Sequence, residues 1–264
     1  MRLDVYLFSS GMAPSRRRAA ELILRGAVTV KGKTVLKPSA ETDGEDVLLL
    51  FDDLPYVGRG GLKLRGALDA FRVDPAGLVC LDLGASTGGF TDCLLQRGAR
   101  KVYALDVGHG QLHEKLKNDA RVISLEGFNA RDLCETSLPE KVDLAVSDLS
   151  FISQRLIYAP LRAVLKEGRP FISLVKPQFE AGRAALNKKG VVTDPAEHLR
   201  VLCELRDAAF AEGFVLTDVC RSPIDGADGN REYTALFYLD AGEPAPEAVL
   251  RRAVYGTPIP QRKG

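Results

Sequence analysis

The stretch from Asp82 to Asp92 reads DLGASTGGFTD, and it decides the fold of this chain. An apolar run, Leu78 to Leu81, precedes it and predicts a short buried strand, and the segment from Thr91 to Leu95 predicts the start of a helix. A strand, a glycine-rich turn and a helix form the geometry that lets a backbone approach a nucleotide-like ligand closely. The glycine spacing is not that of dinucleotide binders, and no Lys-Ser or Lys-Thr follows as in a P-loop.

The pattern Asp-x-Gly-x-x-x-Gly-Gly resembles motif I of class I methyltransferases, which bind S-adenosylmethionine. A glycine-rich turn is most often just a turn, but here the flanking strand and helix supply the context for ligand binding. The resemblance implies that this segment holds the cofactor through Asp82, Gly84, Ser86, Gly88, Gly89, Phe90 and Asp92. Asp82 and Asp92 keep an alternative, because either could serve the charged end of the cofactor or only cap backbone amides.

Strand-like and helix-like segments alternate beyond residue 62. The predicted strands are Val79–Leu83, Lys101–Asp106, Val122–Leu125, Asp143–Asp148, Pro170–Val175, Phe214–Arg221 and Tyr233–Leu239. The predicted helices are Lys63–Phe71, Thr91–Arg97, Gln111–Asn118, Leu156–Leu165 and Pro195–Glu212. This alternation predicts an α/β fold with a mostly parallel sheet covered by helices on both faces. The last two strands have no helix between them, so we expect them to be antiparallel. Seven strands with a reversed last one is the class I, Rossmann-like methyltransferase arrangement.

Two further residues are candidate cofactor ligands. Asp106 ends the second strand of this region, about 20 residues after motif I, where a carboxylate can accept hydrogen bonds from ribose hydroxyls. The ordinary explanation is an aspartate that caps a turn at the strand end. Asn129 follows the third strand, where class I enzymes contact the adenine, although loops often contain Asn for turn reasons alone.

Charge is distributed unevenly along the chain. The net charge is +1 over 264 residues, but residues 1–38 carry eight basic and two acidic side chains, a sum of +6, which leaves −5 for the remaining 226. A compact basic segment on a near-neutral body indicates a module that docks on a polyanion. The five cysteines form no Cys-x-x-Cys pair, and the three histidines show no ligand spacing, so we expect neither a disulfide framework nor a metal site.

The first 50 residues form a separate small α+β unit in this interpretation. Ser15 is a predicted N-cap for a helix from Arg16 to Leu24, and Gly26 is the predicted glycine that ends it. A hairpin turning at Gly32 and a last strand, Val47 to Leu50, follow. The unit resembles the S-four RNA-binding domain at Leu3-Asp4, Ser15-Arg16, Ala19, Ile23, Gly26, Val28, Val30 and Gly32. Such domains place an arginine-bearing helix against RNA, whereas the ordinary explanation is a solvated helix face.

The predicted division of the chain is an RNA-binding domain (1–50), a linker (51–61), a methyltransferase domain (62–242) and a C-terminal tail (243–264) whose end we expect to be poorly ordered. The candidate RNA-binding residues are Arg2, Ser15, Arg16, Arg17, Arg18, Arg25, Lys31 and Arg59. One docking module per catalytic domain is compatible with a monomer. With no signal peptide and no run of roughly 20 apolar residues, the expected location is the cytoplasm.

Four charged residues stand where strand and helix ends should converge. Lys63 begins the first helix of the large domain, Asp148 and Lys176 end two strands, and Glu232 precedes the last strand. Ligands of open α/β sheets bind at the carboxyl ends of the strands, so Asp148 and Lys176 should face the same crevice as motif I. Each of these residues taken singly is best explained as an ordinary charged side chain on the protein surface. Their joint placement favours a site, in which Asp148 also adjoins the cofactor.

This Lys-Asp-Lys-Glu set resembles the tetrad of FtsJ-type RNA 2′-O-methyltransferases. The wider match is to the TlyA family, whose members are also called hemolysin A. It extends to about Leu239 and rests on the strings GRGGLKL, DLGASTGGFTD, DVGHGQLH, SDLSFIS, LVKPQFEAGR, KKGVVTD and SPIDGADGNREY. The resemblance implies methylation of a cytidine 2′-hydroxyl in ribosomal RNA, with ribosomal subunits as partners. Neither the nucleotide nor the subunit is encoded in these strings.

The chemistry suits such residues. A ribose hydroxyl is a poor nucleophile until its proton is removed or strongly shared. A lysine can accept that proton if burial or a nearby cation makes its neutral form accessible. Lys176 is the candidate base, Asp148 should orient it, and Glu232 should fix one of the lysines. Lys63 could supply a second positive charge and could hold the ribose or a phosphate of the substrate.

Other functions have weaker support in the sequence. Methylation of a base nitrogen commonly uses an Asn/Asp-Pro-Pro-aromatic motif, and Asp148 is followed by Leu-Ser-Phe. A membrane-active hemolysin would need a long amphipathic or spanning segment, but the only strongly basic helix, Arg16 to Leu24, is short. A non-catalytic RNA-binding assembly factor would need neither motif I nor the tetrad.

Overall fold

The structure is a computed structural model that describes residues 1–13, 15–24, 26–49, 55–226 and 229–256. In chain order, the helices are α1 (Leu3–Ser9), α2 (Arg16–Leu24), α3 (Gly60–Phe71), α4 (Gly89–Gln96), α5 (Glu114–Lys117), α6 (Tyr158–Val164), α7 (Pro177–Glu180), α8 (Pro195–Ala211) and α9 (Glu247–Tyr255). The strands are β1 (Val28–Val30), β2 (Lys33–Thr34), β3 (Val47–Leu49), β4 (Val79–Leu83), β5 (Lys101–Asp106), β6 (Val122–Glu126), β7 (Leu144–Ser147), β8 (Pro170–Val175), β9 (Phe214–Arg221) and β10 (Tyr233–Leu239).

The N-terminal unit packs α1 and α2 against a small antiparallel sheet with the order β2-β1-β3. The predicted N-cap is confirmed, because the Ser15 hydroxyl accepts a hydrogen bond from the Arg18 amide at 3.1 Å. Gly26 ends α2 as expected, with φ +71° and a hydrogen bond from its amide to the Ile23 carbonyl at 2.9 Å. Apolar residues from both helices and from two strands form its own core: Leu3, Leu7, Ala19, Leu22, Ile23, Val28 and Val47.

The large domain contains a seven-stranded sheet with the order β6-β5-β4-β7-β8-β10-β9. Neighbouring strands from β6 to β8 are parallel, whereas β10 lies antiparallel between β8 and β9. The predicted reversal of the last strand is therefore confirmed. The strands nearest the middle of this sheet are almost wholly buried, as expected when helices cover both faces.

The two faces of the sheet bury separate cores. On one face, α6, α8 and α9 pack on the sheet through residues such as Tyr158, Val201 and Leu250. On the other face, α3, α4 and α5 contribute Leu64, Leu94 and Leu116 among others. Successive side chains of a strand point to opposite faces, so a single strand feeds both cores: Cys80 belongs to one and Leu81 to the other. The α/β fold with helices on both faces is confirmed.

Several predicted elements differ from the structure. Helix α3 begins at Gly60 and not at Lys63, and α4 begins at Gly89 and not at Thr91. The helix predicted over Gln111–Asn118 covers only Glu114–Lys117, because the His113 ring accepts the Lys115 amide at 3.1 Å and so caps a later start. The segment Gln154–Leu156 is a 3-10 turn, and α6 begins after it. The predicted tail contains α9, whose Leu250 and Val254 are buried against the sheet and α8. The tail's end, 257–264, lies outside the described residues, and so do residue 50, the last of the predicted RNA-binding domain, and residues 51–54 of the predicted linker.

None of the helices in the described part of the chain combines the length and apolar character needed to cross a membrane.

Candidate functional site

The four predicted tetrad residues lie at one edge of the large sheet. Asp148 follows β7, and its amide donates to the carbonyl of Leu83 at the end of β4, at 3.0 Å. Lys176 follows β8 directly. Because β10 runs antiparallel to β8, with Tyr233 opposite Val175, the residue that precedes β10 lies beside the residue that follows β8. This register brings Glu232 next to Lys176 although 56 positions separate them in the sequence.

The tetrad forms two ion pairs. The Nζ atom of Lys63 lies 2.5 Å from Oε2 of Glu232, and the Nζ atom of Lys176 lies 2.7 Å from Oδ1 of Asp148. Both lysines and Glu232 are at least nine-tenths buried. Lys176 also donates to the hydroxyl of Ser150 at 2.8 Å. The structure thus brings together all four predicted catalytic residues and fixes each lysine against one carboxylate.

A cavity of about 180 Å³ lies between motif I and the start of α3. Its lining includes Asp148, Lys176 and Arg59, together with Gly84, Ser86, Gly89 and Phe90 of motif I. Gly84 must be glycine here, because its φ is +82° and a Cβ would lie 3.0 Å from the carbonyl oxygen of Asp148. The close approach of the two loops places the tetrad beside the glycine-rich turn.

A second cavity, of about 650 Å³, continues from the first and shares Gly84, Ser86, Asp148 and Ser150 with it. The predicted ligands Asp106 and Asn129 line this cavity, and Leu149, Phe151 and Ile152 supply apolar walls. It combines a carboxylate, an amide and an apolar surface, which are the groups that a ribose and a purine base require. The two cavities together suit a nucleoside with a charged extension.

The Asp106 carboxylate is already engaged with the backbone. One oxygen accepts the Ser86 amide at 2.8 Å and the other accepts the Gly108 amide at 2.7 Å. It therefore ties the motif I turn to the end of β5, as the ordinary explanation requires. A carboxylate has about four acceptor sites, so these bonds leave capacity for ribose hydroxyls.

The two aspartates that flank motif I are buried away from both cavities. Asp82 is fully buried beneath the turn and accepts the Thr91 hydroxyl at 2.7 Å. Asp92 accepts the Val57 amide at 2.9 Å, a second bond from Gln96, and an ion pair from Lys115 at 2.9 Å. Asp92 thus fits the capping alternative, and it holds the segment before α3 against α4. Gly88 likewise lines neither cavity and faces the side chains of Leu112 and Leu116.

Burial raises the pKa of Asp82 to about 7, aided by the nearby Asp148 carboxylate and opposed by the Thr91 hydrogen bond. The folded state therefore binds the proton more tightly than the unfolded chain, and stability should fall as pH rises from about 4 to about 7. We expect Asp82→Asn to remove this loss of stability. The free energy of unfolding of the variant minus that of the native chain should therefore rise by roughly 2 kcal/mol between pH 5.5 and 8. Urea unfolding of both proteins at both pH values measures this difference. The same difference at pH 5.5 and at pH 8 would contradict the prediction.

The predicted RNA-binding residues differ in whether they form ion pairs within the protein. Buried Asp4 pairs with Arg2 at 3.0 Å and with Arg16 at 3.2 Å. Lys31 pairs with exposed Asp43 at 2.9 Å. Arg18 pairs with Glu21 at 3.2 Å, whereas exposed Arg17 forms no ion pair with any described residue. Arg25 lies outside the described residues. Arg59 lies apart from these, in the wall of the first cavity.

Sequence reasoning missed two residues of the site. Ser150, two positions after Asp148, accepts the Lys176 ammonium. Phe151 is 89% exposed, has φ +62°, and packs its ring 4.8 Å from that of Phe179. A bulky residue held in the left-handed region beside a cavity is uncommon. The string SDLSFIS contained both residues, but nothing in their spacing signals a contact with a lysine that follows another strand.

Within the described ranges, no group of three or more His, Cys, Asp and Glu side chains has the arrangement of a metal site. The described cysteines are free thiols, and burial raises the pKa of Cys80 to about 12 and that of Cys93 to about 11. The charged side chains that line the smaller cavity are those of Arg59, Asp148 and Lys176.

Known proteins share both parts of this chain. Residues 56–238 match the FtsJ-like methyltransferase family, and residues 1–48 match the S4 domain. The 16S/23S rRNA (cytidine-2'-O)-methyltransferase TlyA of Mycobacterium tuberculosis is 43% identical over 88% of this chain and 87% of its own length. Hemolysin A of Brachyspira hyodysenteriae is 42% identical over 90% of this chain and 100% of its own. A solved structure of a Streptococcus thermophilus protein described as a hemolysin has a TM-score of 0.76 and 36% identity, covering 97% and 96%.

Proposed function

Because this chain belongs to the TlyA family, with an FtsJ-like methyltransferase domain behind an S4 domain, we propose that it methylates the 2′-hydroxyl of a cytidine in ribosomal RNA. S-adenosylmethionine is the proposed methyl donor. The observation that carries the proposal is the pair of buried lysine–carboxylate contacts beside a cavity at the glycine-rich turn. These contacts account for the type of reaction, whereas the choice of cytidine and of ribosomal RNA as substrate is inferred from the relatives.

The residues present fit this cofactor. Asp106 and Asn129 would hold its ribose and adenine in the larger cavity, against the apolar wall of Leu149 and Ile152. The turn of Gly84, Ser86, Gly89 and Phe90 would enclose its methionine portion in the smaller one. When bound, S-adenosylmethionine supplies an electrophilic methyl group on a positively charged sulfur. The Asp148 carboxylate lines both cavities and would favour that charge.

Lys176 is the residue placed to act on the nucleophile. Asp148 and the Ser150 hydroxyl hold its ammonium on two sides, so its position at the cavity is fixed. In its neutral form the Nζ atom would accept the proton of the 2′-hydroxyl, and Asp148 would orient it during that transfer. Displacement at a methyl group is in-line, so the gain comes largely from fixed geometry. Lys63 and Glu232 contact one another, and the pairing of β10 with β8 places Glu232 beside Lys176.

The S4 domain is proposed to supply RNA affinity through phosphate contacts, since such contacts dominate the affinity of proteins for nucleic acids. Recognition of the target would then depend on RNA shape more than on a linear code. A polyanion partner agrees with the +6 charge of residues 1–38. A monomer working in the cytoplasm, where ribosomes are assembled, is the simplest setting for this activity.

Arg17→Ala should weaken RNA binding at low salt and reduce the slope of log affinity against log salt by about one, because one phosphate contact is lost. Arg17 is suited to this test because it is exposed and unpaired among the described residues. Binding to ribosomal RNA measured across a salt series gives the slope. Arg251→Ala, an exposed arginine on α9 paired with Glu247, is the control and should keep the native slope. Equal slopes for all three proteins would contradict the prediction.

The function is tested by incubating the protein with labelled S-adenosylmethionine and unmethylated small or large ribosomal subunits, each separately. We expect label in ribosomal RNA of one or both subunits and a 2′-O-methylcytidine in the digested product. Cofactor binding without transfer to either particle would overturn the proposed substrate while keeping the methyltransferase fold. Label on a base instead of a ribose would overturn the proposed reaction.

A further inference from the structure

Arg59 is a cation of the site that forms no hydrogen bond or ion pair with any residue of the described ranges. Its side chain lines the smaller cavity with Asp148 and Lys176, and burial lowers the pKa of its guanidinium against the opposing fields of Glu232 and Asp148. Neither carboxylate reaches it, and within the described residues the guanidinium has no hydrogen bond or ion pair. Partial burial of a charge without a partner raises the free energy of the folded protein, so binding of an anion at this position would be favourable.

The same side chain touches the N-terminal domain. A Cβ atom placed on Gly26 would overlap the Arg59 side chain, lying 2.9 Å from Cζ and closer still to Cδ. Gly26 directly follows the α2 region, whose first turn carries Arg16, Arg17 and Arg18. The missing side chain of Gly26 thus makes room for Arg59 where the basic domain meets the methyl-transfer cavity.

We propose that Arg59 binds the phosphodiester adjoining the target ribose, and that Gly26 seats its side chain so that the S4 domain sets the position of the guanidinium. This inference rests on the proposed function. In RNA the 3′-phosphate is attached to the carbon next to the one that bears the 2′-hydroxyl. An RNA ribose beside Lys176 therefore brings a phosphate into the same cavity region.

The other cations of the site are less suited to that phosphate. Lys63 is occupied by Glu232 and Lys176 by Asp148, each at 2.7 Å or less. A guanidinium offers paired donors that match two phosphate oxygens, which an ammonium does not. The competing anion is the carboxylate of the cofactor's methionine portion, because the motif I turn lines the same cavity. The contact with the RNA-docking domain favours the phosphate.

A mutant cycle on the full chain tests the proposal. Gly26→Ala should push the Arg59 side chain out of place, and Gly11→Ala is its control: Gly11 has φ +77°, in the same domain, with nothing within 4 Å of a Cβ. Both substitutions share the backbone cost of a left-handed alanine. We expect Arg59→Ala and Gly26→Ala to lower kcat/KM for ribosomal subunits by about tenfold or more. Gly11→Ala should stay close to the native value.

The double variant Gly26→Ala/Arg59→Ala should be no worse than Arg59→Ala alone, because the two residues act through one contact. Affinities for S-adenosylmethionine and for methylthioadenosine, which lacks the carboxylate, should stay native in every variant. Weaker binding of S-adenosylmethionine alone in Arg59→Ala would assign the arginine to the cofactor and overturn the phosphate site. Equal effects of Gly26→Ala and Gly11→Ala, or additive losses in the double variant, would overturn the coupling. Failure of the native chain to methylate would instead refute the proposed function.

Discussion

Lys176→Ala should abolish methyl transfer while cofactor binding survives. The Lys176 ammonium contacts Asp148 and Ser150 at the cavity, and it is the residue placed to take the proton of the ribose hydroxyl. Loss of a positioned general base typically costs 100-fold to 10,000-fold in rate, roughly 3 to 5 kcal/mol of barrier. The cofactor's proposed ribose and adenine ligands, Asp106 and Asn129, line the other cavity and remain intact.

Single-turnover methylation and calorimetric titration of S-adenosylmethionine measure the two properties separately. Lys176→Arg distinguishes a base from a fixed positive charge, because arginine keeps the charge but does not give up its proton in proteins. We expect this variant to be inactive as well. Lys188→Ala, an exposed lysine, is the control and should be fully active. Turnover near the native rate in Lys176→Ala or Lys176→Arg would contradict the assignment of Lys176 as the general base.

The Lys63→Met substitution should lower the free energy of unfolding and abolish activity. The Lys63–Glu232 pair is buried, with side-chain exposures of 8% and 4%, so removal of the ammonium leaves an uncompensated carboxylate in the interior. Breaking such a pair costs about 3 to 5 kcal/mol, whereas exchanging both partners for apolar residues is often neutral or stabilising. Lys63→Met/Glu232→Leu should therefore recover most of the stability. We expect it to remain inactive, since Glu232 lies beside Lys176 through the β8–β10 pairing and the tetrad has lost two of its four charges.

Urea unfolding measures the stabilities, and the methylation assay measures activity on the same preparations. The matched control is the exposed pair Arg251–Glu247 on α9, with exposures of 57% and 52%. Arg251→Ala should change the unfolding free energy by less than about 1 kcal/mol. An active double variant would show that the pair only supports the fold. A double variant less stable than Lys63→Met would contradict the burial argument.

Local signals made much of the architecture predictable. The alternation of strand-like and helix-like segments predicted the seven strands and their succession along the chain. The lack of a helix between Arg221 and Tyr233 predicted the antiparallel pairing of β9 with β10. Caps at Ser15 and Gly26 were readable because their chemistry acts within a few residues of the helix end. Helix α9 escaped prediction because the prolines before it, Pro244 and Pro246, resemble a disordered segment, and its amphipathic face gains stability only against the sheet.

The sequence by itself determined which chemistry this protein carries: a glycine turn between a strand and a helix, two lysines and two carboxylates next to element ends, and a basic first domain. Only the tertiary structure decided how these groups pair. Lys63 and Glu232 lie 169 positions apart, and the packing of helix α3 against the sheet beside β10 brings them within 2.5 Å. The contact of Gly26 with Arg59 is decided in the same way. Local patterns encode backbone conformation, whereas contacts across the chain depend on how all the elements pack at once.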